Sequence, residues 1–165
     1  MESNEKSSLV VSEEQIQRCL AETHKHVRKV QENVNLFVSD LLKRGESHDN
    51  SKFEEPELSI FASKTNQLKE VGYGTPEYET MMQQVRPAIT HHYSRNRHHP
   101  EHWPNGIEDM NLVDLLEILA DWQAAGERNK DGNIKKSIAV NAARFKMTPQ
   151  LRTIFENTAR DFFTD

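Results

Sequence analysis

Cysteine and long apolar runs are scarce in this sequence, and both absences narrow the class of protein. Cys19 is the one cysteine among 165 residues, so an internal disulfide is excluded, which is typical of a reducing compartment. No apolar run approaches the ~18 residues of a transmembrane helix. Residues 1–8 are polar and lack the apolar core of a signal peptide. We therefore expect a cytoplasmic protein that does not enter a membrane.

Length and charge set further limits. A chain of 165 residues is long enough for one domain with its own core. Its formal net charge of −5 argues against nucleic-acid binding through bulk electrostatics. We expect a polar tail over residues 1–12 and one domain over residues 13–165. Histidine is unusually clustered, because five of the eight histidines lie between residues 91 and 102.

The first predicted helix covers about Glu13 to Arg44. Ser12 stands at the N-cap position, and Gly45 follows two basic residues, as is common where a helix ends. Apolar residues at steps of three, four and seven mark one face of this helix: Ile16, Leu20, Val27, Val30, Val34, Phe37 and Leu41. His24 and His26 lie on opposite flanks of that apolar stripe.

Further helices are predicted from similar periodicity and capping signals. They cover about Glu54–Val71, Pro76 to His92, Leu112–Glu127, Ile134–Phe145 and Pro149–Phe163. Pro87 should kink the third helix, and residues 95–106 read as a polar loop. No segment alternates like a β-strand. The predicted fold class is all-α, with about six helices in a single domain.

Two of these helices carry polar residues on faces that should be buried. The helix 112–127 is apolar almost all round, except for one wedge formed by Asp114, Glu117 and Asp121. Asp114 sits at the capping-box position, so capping alone would explain it. In the third helix, His92 continues the apolar stripe seven residues after Val85, while the neighbouring His91 points about 100° away.

The segment His48-Asp49-Asn50-Ser51-Lys52 follows the first helix. Neutral imidazole and carboxylate both bind divalent metals, and adjacent residues at a helix end can converge on one ion. Alone, an exposed loop would explain the pair. Together with a histidine of the first helix (His24 or His26) and Asp121, it predicts a metal site that also satisfies costly buried charge.

In order along the chain, these elements resemble the HD-domain superfamily of metal-dependent phosphohydrolases. The resemblance rests on His26-Val27-Arg28-Lys29-Val30, His48-Asp49-Asn50-Ser51-Lys52, His91-His92 and Ala120-Asp121. The segment from His91 to Trp103 also resembles small phage and bacterial proteins with HD-like patterns. Ser51 stands where many superfamily members have glycine. No signature of cyclic-dinucleotide hydrolysis follows His91-His92.

The resemblance implies an HD-like helical domain and a metal-activated water that hydrolyses a nucleotide or another small phosphoester. It implies as metal ligands His26, His48, Asp49, Asp121 and, more weakly, His91. It implies catalytic roles for Lys52 on a phosphate oxygen, for His92 as a phosphate contact or a ligand to a second ion, and for Glu117 as a hydrogen-bond partner of a ligand histidine. Arg95, His98 and His99 would contact the substrate, although the segment 98–102 also fits a solvated loop.

Two matters stay open at the level of sequence. The ion could be Mn, Fe, Co, Ni, Zn or Mg, because mixed histidine and carboxylate sites accept several metals. The same helices could instead form a non-catalytic accessory module, phage-type, that binds a nucleotide or a protein and keeps the metal site. In that case the protein would act in the host cytoplasm. The sequence does not predict an oligomeric state.

Overall fold

A computed structural model describes residues 11–70, 76–128 and 132–163 of the chain. Six α-helices lie in these ranges: α1 Glu13–Ser47, α2 Glu57–Glu70, α3 Pro76–Arg95, α4 Leu112–Glu127, α5 Ile134–Arg144 and α6 Pro149–Phe162. Short 3-10 helices cover Asn50–Phe53, Pro100–His102 and Gly106–Asp109. The described ranges contain no β-strand, so the predicted all-α class is confirmed. None of the described helices is long and apolar enough to cross a bilayer.

The chain forms two compact units, Met1–Asp40 and Leu41–Asp165. Helix α1 runs through the boundary between them without interruption. In the first unit, every described residue is exposed, including the apolar stripe on α1. The predicted helical periodicity of this segment is confirmed, and its apolar residues are exposed.

The second unit holds the hydrophobic core. Ile118, Leu119 and Trp122 of α4 pack with side chains of α5 and α6, and the rings of Trp122 and Phe155 stack with centroids 5.5 Å apart. The nearly all-apolar character of α4 therefore reflects a central position, as predicted from its sequence. Ile138 of α5 is fully buried in the same cluster.

Side-chain caps fix where several helices begin. Asn111 accepts hydrogen bonds from the backbone N–H groups of Val113 and Asp114, while the Asp114 carboxylate accepts one from the Asn111 backbone. This is the predicted capping box, which satisfies N–H groups that have no partner within the helix. Thr148 accepts a hydrogen bond from the Leu151 N–H at the start of α6.

Asp114 does more than cap α4. Its carboxylate is completely buried and accepts hydrogen bonds from Arg97 Nε, at 2.6 Å, and from Arg44 near the end of α1. Burial acts to raise the pKa of Asp114, but the hydrogen bonds from Arg97, the Asn111 backbone and Arg44 outweigh it and hold the pKa below its ordinary value. The last turns of α1 are thereby tied to the start of α4.

The helix boundaries depart from the predictions in three places. Helix α1 continues past Gly45 to Ser47, because the left-handed turn occurs at Asp49 (φ 58°) instead of at the glycine. Helix α2 begins at Glu57 instead of Glu54. The predicted loop after Arg95 contains two 3-10 turns. The predicted end of α2 at Val71 falls outside the described residues.

Candidate metal centre

The end of α1 places His48 and Asp49 side by side. Asp49 adopts a left-handed backbone conformation, which is uncommon for any residue except glycine but is tolerated by aspartate. Its carbonyl then accepts a hydrogen bond of 2.8 Å from the Lys52 N–H, and this starts the 3-10 helix Asn50–Phe53. This turn places the side chains of His48 and Asp49, both possible metal ligands, close together directly after α1.

Four ligand atoms converge around Asp49. Its Oδ1 lies 3.3 Å from His92 Nε2 and 3.5 Å from His98 Nε2. His99 Nε2 lies 2.9 Å from His92 Nε2. Asp49, His92, His98 and His99 each offer one ligand atom, and these atoms all lie within 4.8 Å of one another. Ligands bound to one ion at about 2.0–2.2 Å would be separated by similar distances.

A second group shares one residue with the first. His48, His98 and Asp121 also offer ligand atoms within 4.8 Å of one another. His48 Nε2 lies 3.7 Å from Asp121 Oδ1 and 3.5 Å from Asp49 Oδ2. His98 is therefore common to both groups, so a cation in either group would contact it.

Two buried glutamates orient the imidazole rings. Glu117 Oε1 lies 3.0 Å from Nδ1 of His48 and 3.0 Å from Nδ1 of His98. Glu57 Oε2 lies 2.9 Å from Nδ1 of His92. An ionised carboxylate can only accept a hydrogen bond, so these contacts favour a hydrogen on Nδ1. The Nε2 atoms, which approach the aspartate oxygens, then keep the lone pairs that a metal needs.

The ionisation states fit the same arrangement. Burial, together with the nearby His98 and His92, lowers the pKa of His99 to about 3. Burial also lowers the pKa of His92. Both rings are thus neutral near pH 7, which is the form that binds metal. Burial acts to raise the pKa of Asp121, but its hydrogen bond with His48 outweighs this and keeps that pKa low.

The surroundings of His48 and Glu117 favour positive charge. A hydrogen bond with Asp121, and then one with Glu117, raises the pKa of His48 to about 10 despite partial burial. Burial acts to raise the pKa of Glu117, but hydrogen bonds from His48 and His98 lower it to about 2. Acidic groups this close to one another are stabilised by a cation, whether a proton on His48 or a metal ion.

Among the described residues, three buried side-chain atoms have no hydrogen-bond partner: Asp49 Oδ1, His98 Nε2 and Glu117 Oε2. Buried polar groups without a partner cost free energy, and they are rare in folded proteins. Two of the three are ligand-type atoms facing each other across 3.5 Å. The residues present therefore fit a divalent cation, which would satisfy both atoms at once.

The other residues singled out from the sequence occupy distinct places. Lys52 Nζ donates to Asp49 Oδ2 at 2.6 Å. His91 Nδ1 lies 2.7 Å from Glu57 Oε1. His26 is exposed on the first unit, and Arg95 is exposed at the end of α3. Among the described residues, neither ligand group contains His26 or His91, so their assignment as ligands stays a prediction from the sequence.

Sequence reasoning missed two features of the cluster. His98 was considered for a solvated loop or for substrate binding, but it is only 1 % exposed and belongs to both ligand groups. Glu57 lies in the first turn of α2, where an acidic side chain is usually solvated, but it is completely buried against His91 and His92. The one sequence signal for His98 was the density of histidines around it. The solvated-loop interpretation is therefore wrong for His98.

The cluster opens onto a cavity of about 860 Å³. His48, Asp49, Lys52 and Asp121 line it together with Glu117 and Arg128. Much of the remaining wall is apolar and comes from α4 and α6, through residues such as Leu116, Ala120, Ala124, Phe162 and Phe163. This volume falls within the range of about 300–1,000 Å³ that is usual for small-molecule sites.

Comparison with known proteins places the chain in a family without assigning an activity. No curated protein and no solved structure matches it. One family model matches residues 15–161, which include the ligand groups, both buried glutamates and nearly all of the described helices. The chain therefore belongs to a family of unknown function (DUF5662).

Proposed function

We propose that this protein is a metal-dependent phosphohydrolase that acts on a nucleotide or another small phosphoester. One observation carries the proposal: histidine nitrogens and aspartate oxygens converge in two adjacent groups that share His98. A site with several open ligand positions beside a cavity is what metal-assisted hydrolysis needs. Of the elements that resemble the HD superfamily, His48-Asp49, His92 and Asp121 belong to these groups, and His26 does not.

A bound divalent cation would supply Lewis acidity, which neutralises charge on a phosphate and makes water a stronger acid. Asp49, His92, His98 and His99 would hold one ion, and His48 with Asp121 would bind beside it. Oxygen and imidazole ligands of this kind suit Mn, Fe, Co, Ni, Zn and Mg. Glu117 and Glu57 would keep the rings in the metal-binding tautomer.

Lys52 is the cation best placed to hold a substrate phosphate. Its ammonium group contacts Asp49 Oδ2, yet the side chain is 43 % exposed and lines the cavity. A flexible ammonium can keep one hydrogen bond to the aspartate and donate another to a phosphate oxygen. Arg128 lines the same cavity and adds a second positive charge. Both cations favour an anionic ligand.

The size and walls of the cavity support an organic phosphoester over inorganic pyrophosphate. A volume of about 860 Å³ far exceeds that of a phosphate group, and the apolar surface of α4 and α6 would bury an organic body. Such burial contributes roughly 25 cal/mol per Å² of apolar surface. A nucleoside or a comparable ring system is a body of suitable size.

The proposal is tested in two stages. Elemental analysis and metal titration come first, comparing the wild type with His48→Ala and Asp49→Asn. Asparagine is chosen because it tolerates the left-handed backbone at Asp49. His102→Ala serves as a matched histidine control outside both groups. Tight binding that the first two variants weaken and the control preserves supports the metal site; equal binding in all four proteins contradicts it.

The second stage separates catalysis from binding alone. Protein loaded in turn with Mn²⁺, Co²⁺, Ni²⁺, Zn²⁺ or Mg²⁺ is incubated with mononucleotides, cyclic nucleotides and a generic phosphodiester. Metal-dependent product release that is lost in Lys52→Ala, with metal content unchanged, supports hydrolysis. Tight nucleotide binding without turnover for any ion would instead identify a non-catalytic accessory module.

A further inference from the structure

The exposed apolar face of α1 follows the spacing of a coiled coil. Ile16, Leu20, Val27, Val30, Val34 and Phe37 form this face, here named the α1 seam, and they are 41–63 % exposed. Thr23 fills the one gap in the pattern, so the steps from Ile16 to Phe37 alternate strictly between four and three residues. Such alternation keeps one face directed at a partner helix over its whole length.

Thr23 does not interrupt the apolar character of the α1 seam. Its hydroxyl donates to the Cys19 carbonyl at 2.8 Å within the same helix. The hydroxyl is therefore already satisfied, and burying the threonine methyl beside Leu20 and Val27 would leave no polar group without a partner.

The residues that flank the α1 seam carry no formal charge at pH 7. Gln17, His24 and Gln31 stand on one side, and Cys19, His26 and Asn33 on the other. Charged residues lie outside these flanks and form pairs along the helix, such as Arg18 with Glu14 at 3.2 Å and Lys29 with Glu32 at 2.9 Å. Two copies of α1 could therefore approach without like-charge repulsion.

We propose that the α1 seam binds the α1 seam of a second copy of this chain, forming a helix-pair dimer. Coiled coils select a different partner chiefly through complementary charges on the flanks, and these flanks carry none. A self-complementary apolar face with neutral flanks fits an identical partner best. The inference is independent of the proposed hydrolase activity, because none of the seam residues belongs to either ligand group.

The length of the α1 seam limits the surface that two copies can bury, and so the expected affinity of the dimer. From Ile16 to Phe37 the helix extends about 32 Å at 1.5 Å per residue. A stripe of this length on one helix buries on the order of 500 Å² per copy, which is less than the ~800 Å² of a standard interface. The dimer should therefore form in the micromolar range.

The test is sedimentation of the full chain between about 1 and 100 μM, with a matched pair of substitutions. Leu20 lies in the α1 seam and Leu36 lies outside it, and both are exposed leucines of the same helix, at 46 % and 69 %. Leu20→Glu should weaken dimerisation at least about 100-fold, and Leu36→Glu by less than about threefold. Thr23→Ile should tighten the dimer several-fold by adding apolar surface.

Circular dichroism of the variants checks that helix content is retained. A wild type that stays monomeric up to 100 μM would overturn the proposal, as would equal weakening by Leu20→Glu and Leu36→Glu. If Leu20→Glu loses helix content, Thr23→Ile still decides, because it leaves the helix intact and must shift the equilibrium toward the dimer. An unchanged dissociation constant in Thr23→Ile would contradict a role for the seam.

Discussion

The α1 seam exposes apolar side chains, whereas the candidate metal centre buries polar ones, so both regions depart from the usual distribution of apolar residues inside and polar residues outside. Along the α1 seam, six large apolar residues are exposed. Around Asp49, histidines and carboxylates are buried, and three polar atoms lack a partner. In the second unit, the core of α4, α5 and α6 instead follows the common rule of apolar residues inside. The two proposed partners, an apolar surface and a cation, would each satisfy one of these exceptions.

Loss of His98, the ligand that both groups share, should have the largest effect on metal affinity. His98→Ala removes a ligand from both groups, so metal affinity should fall roughly 10³-fold, more than the 10–100-fold typical of an outer partner. Isothermal titration with Zn²⁺ or Mn²⁺ measures this. His102→Ala, which changes a histidine outside both ligand groups, is the control; similar losses in both variants would place the ion elsewhere.

Truncating isoleucine to alanine should lower the free energy of unfolding much more in the buried core than in the exposed α1 seam. Ile138→Ala removes a fully buried side chain and should lower the free energy of unfolding by about 2–5 kcal/mol. Ile16→Ala removes a side chain that is 41 % exposed and should cost less than about 0.5 kcal/mol in dilute protein.

Urea unfolding at two protein concentrations measures both variants. If the α1 seam forms a dimer, the effect of Ile16→Ala should grow at the higher concentration, while that of Ile138→Ala should not. A large concentration-independent loss for Ile16→Ala would show that this residue is covered within a single copy.

The buried Asp114 pair should make stability depend on acid. Because the folded pKa of Asp114 lies below its ordinary value of 3.8, its contribution is complete above about pH 5 and declines below about 3.8, as pH falls through the folded pKa. Asp114→Asn should cost about 3 kcal/mol at pH 7, since it removes the buried carboxylate that Arg44, whose side chain is 14 % exposed, contacts.

Urea unfolding between pH 2.5 and 7 tests this prediction. The difference between wild type and Asp114→Asn should shrink toward low pH. A difference that stays constant over the whole range would mean that the asparagine disturbs the capping box and not the ion pair.

A smaller loss of metal affinity is expected when an imidazole ring loses the carboxylate that orients it but the ligand itself remains. Glu117→Gln replaces the carboxylate oxygen shared by Nδ1 of His48 and His98 with a weaker neutral acceptor. Metal affinity should fall about 10–100-fold. Metal titration against Gln123→Glu, a charge change on the same helix outside the cluster, provides the comparison; an unchanged affinity would exclude a tautomer-fixing role for Glu117.

Local signals in the sequence predicted most of the fold. The caps at Asn111 and Thr148 fixed the starts of α4 and α6 because capping depends on neighbouring residues only. The end of α1 was misplaced, since Gly45 permits a left-handed turn but nothing local requires it. Whether the face of α1 is covered could not be read either, because periodicity reports that a face is apolar and says nothing of what lies against it.

The site was predictable only where regular helices carry it. Asp121 was identified from its place in the polar wedge of α4, and His48-Asp49 from its position after α1. His98 and His99 escaped because they lie in an irregular segment, where no periodicity relates sequence position to direction. Their placement depends on the 3-10 turns after α3 and on long-range contacts with Glu117 and Asp49.

The left-handed backbone at Asp49 has a consequence for how this family can diverge. Of the residues that tolerate this conformation readily, only glycine, asparagine and aspartate are common, and aspartate alone is an anionic ligand. A relative that abandoned the cation while keeping the fold would therefore be expected to carry asparagine or glycine at this position. A single residue in each family member thus offers a marker that separates chains retaining the chemistry from those retaining only the scaffold.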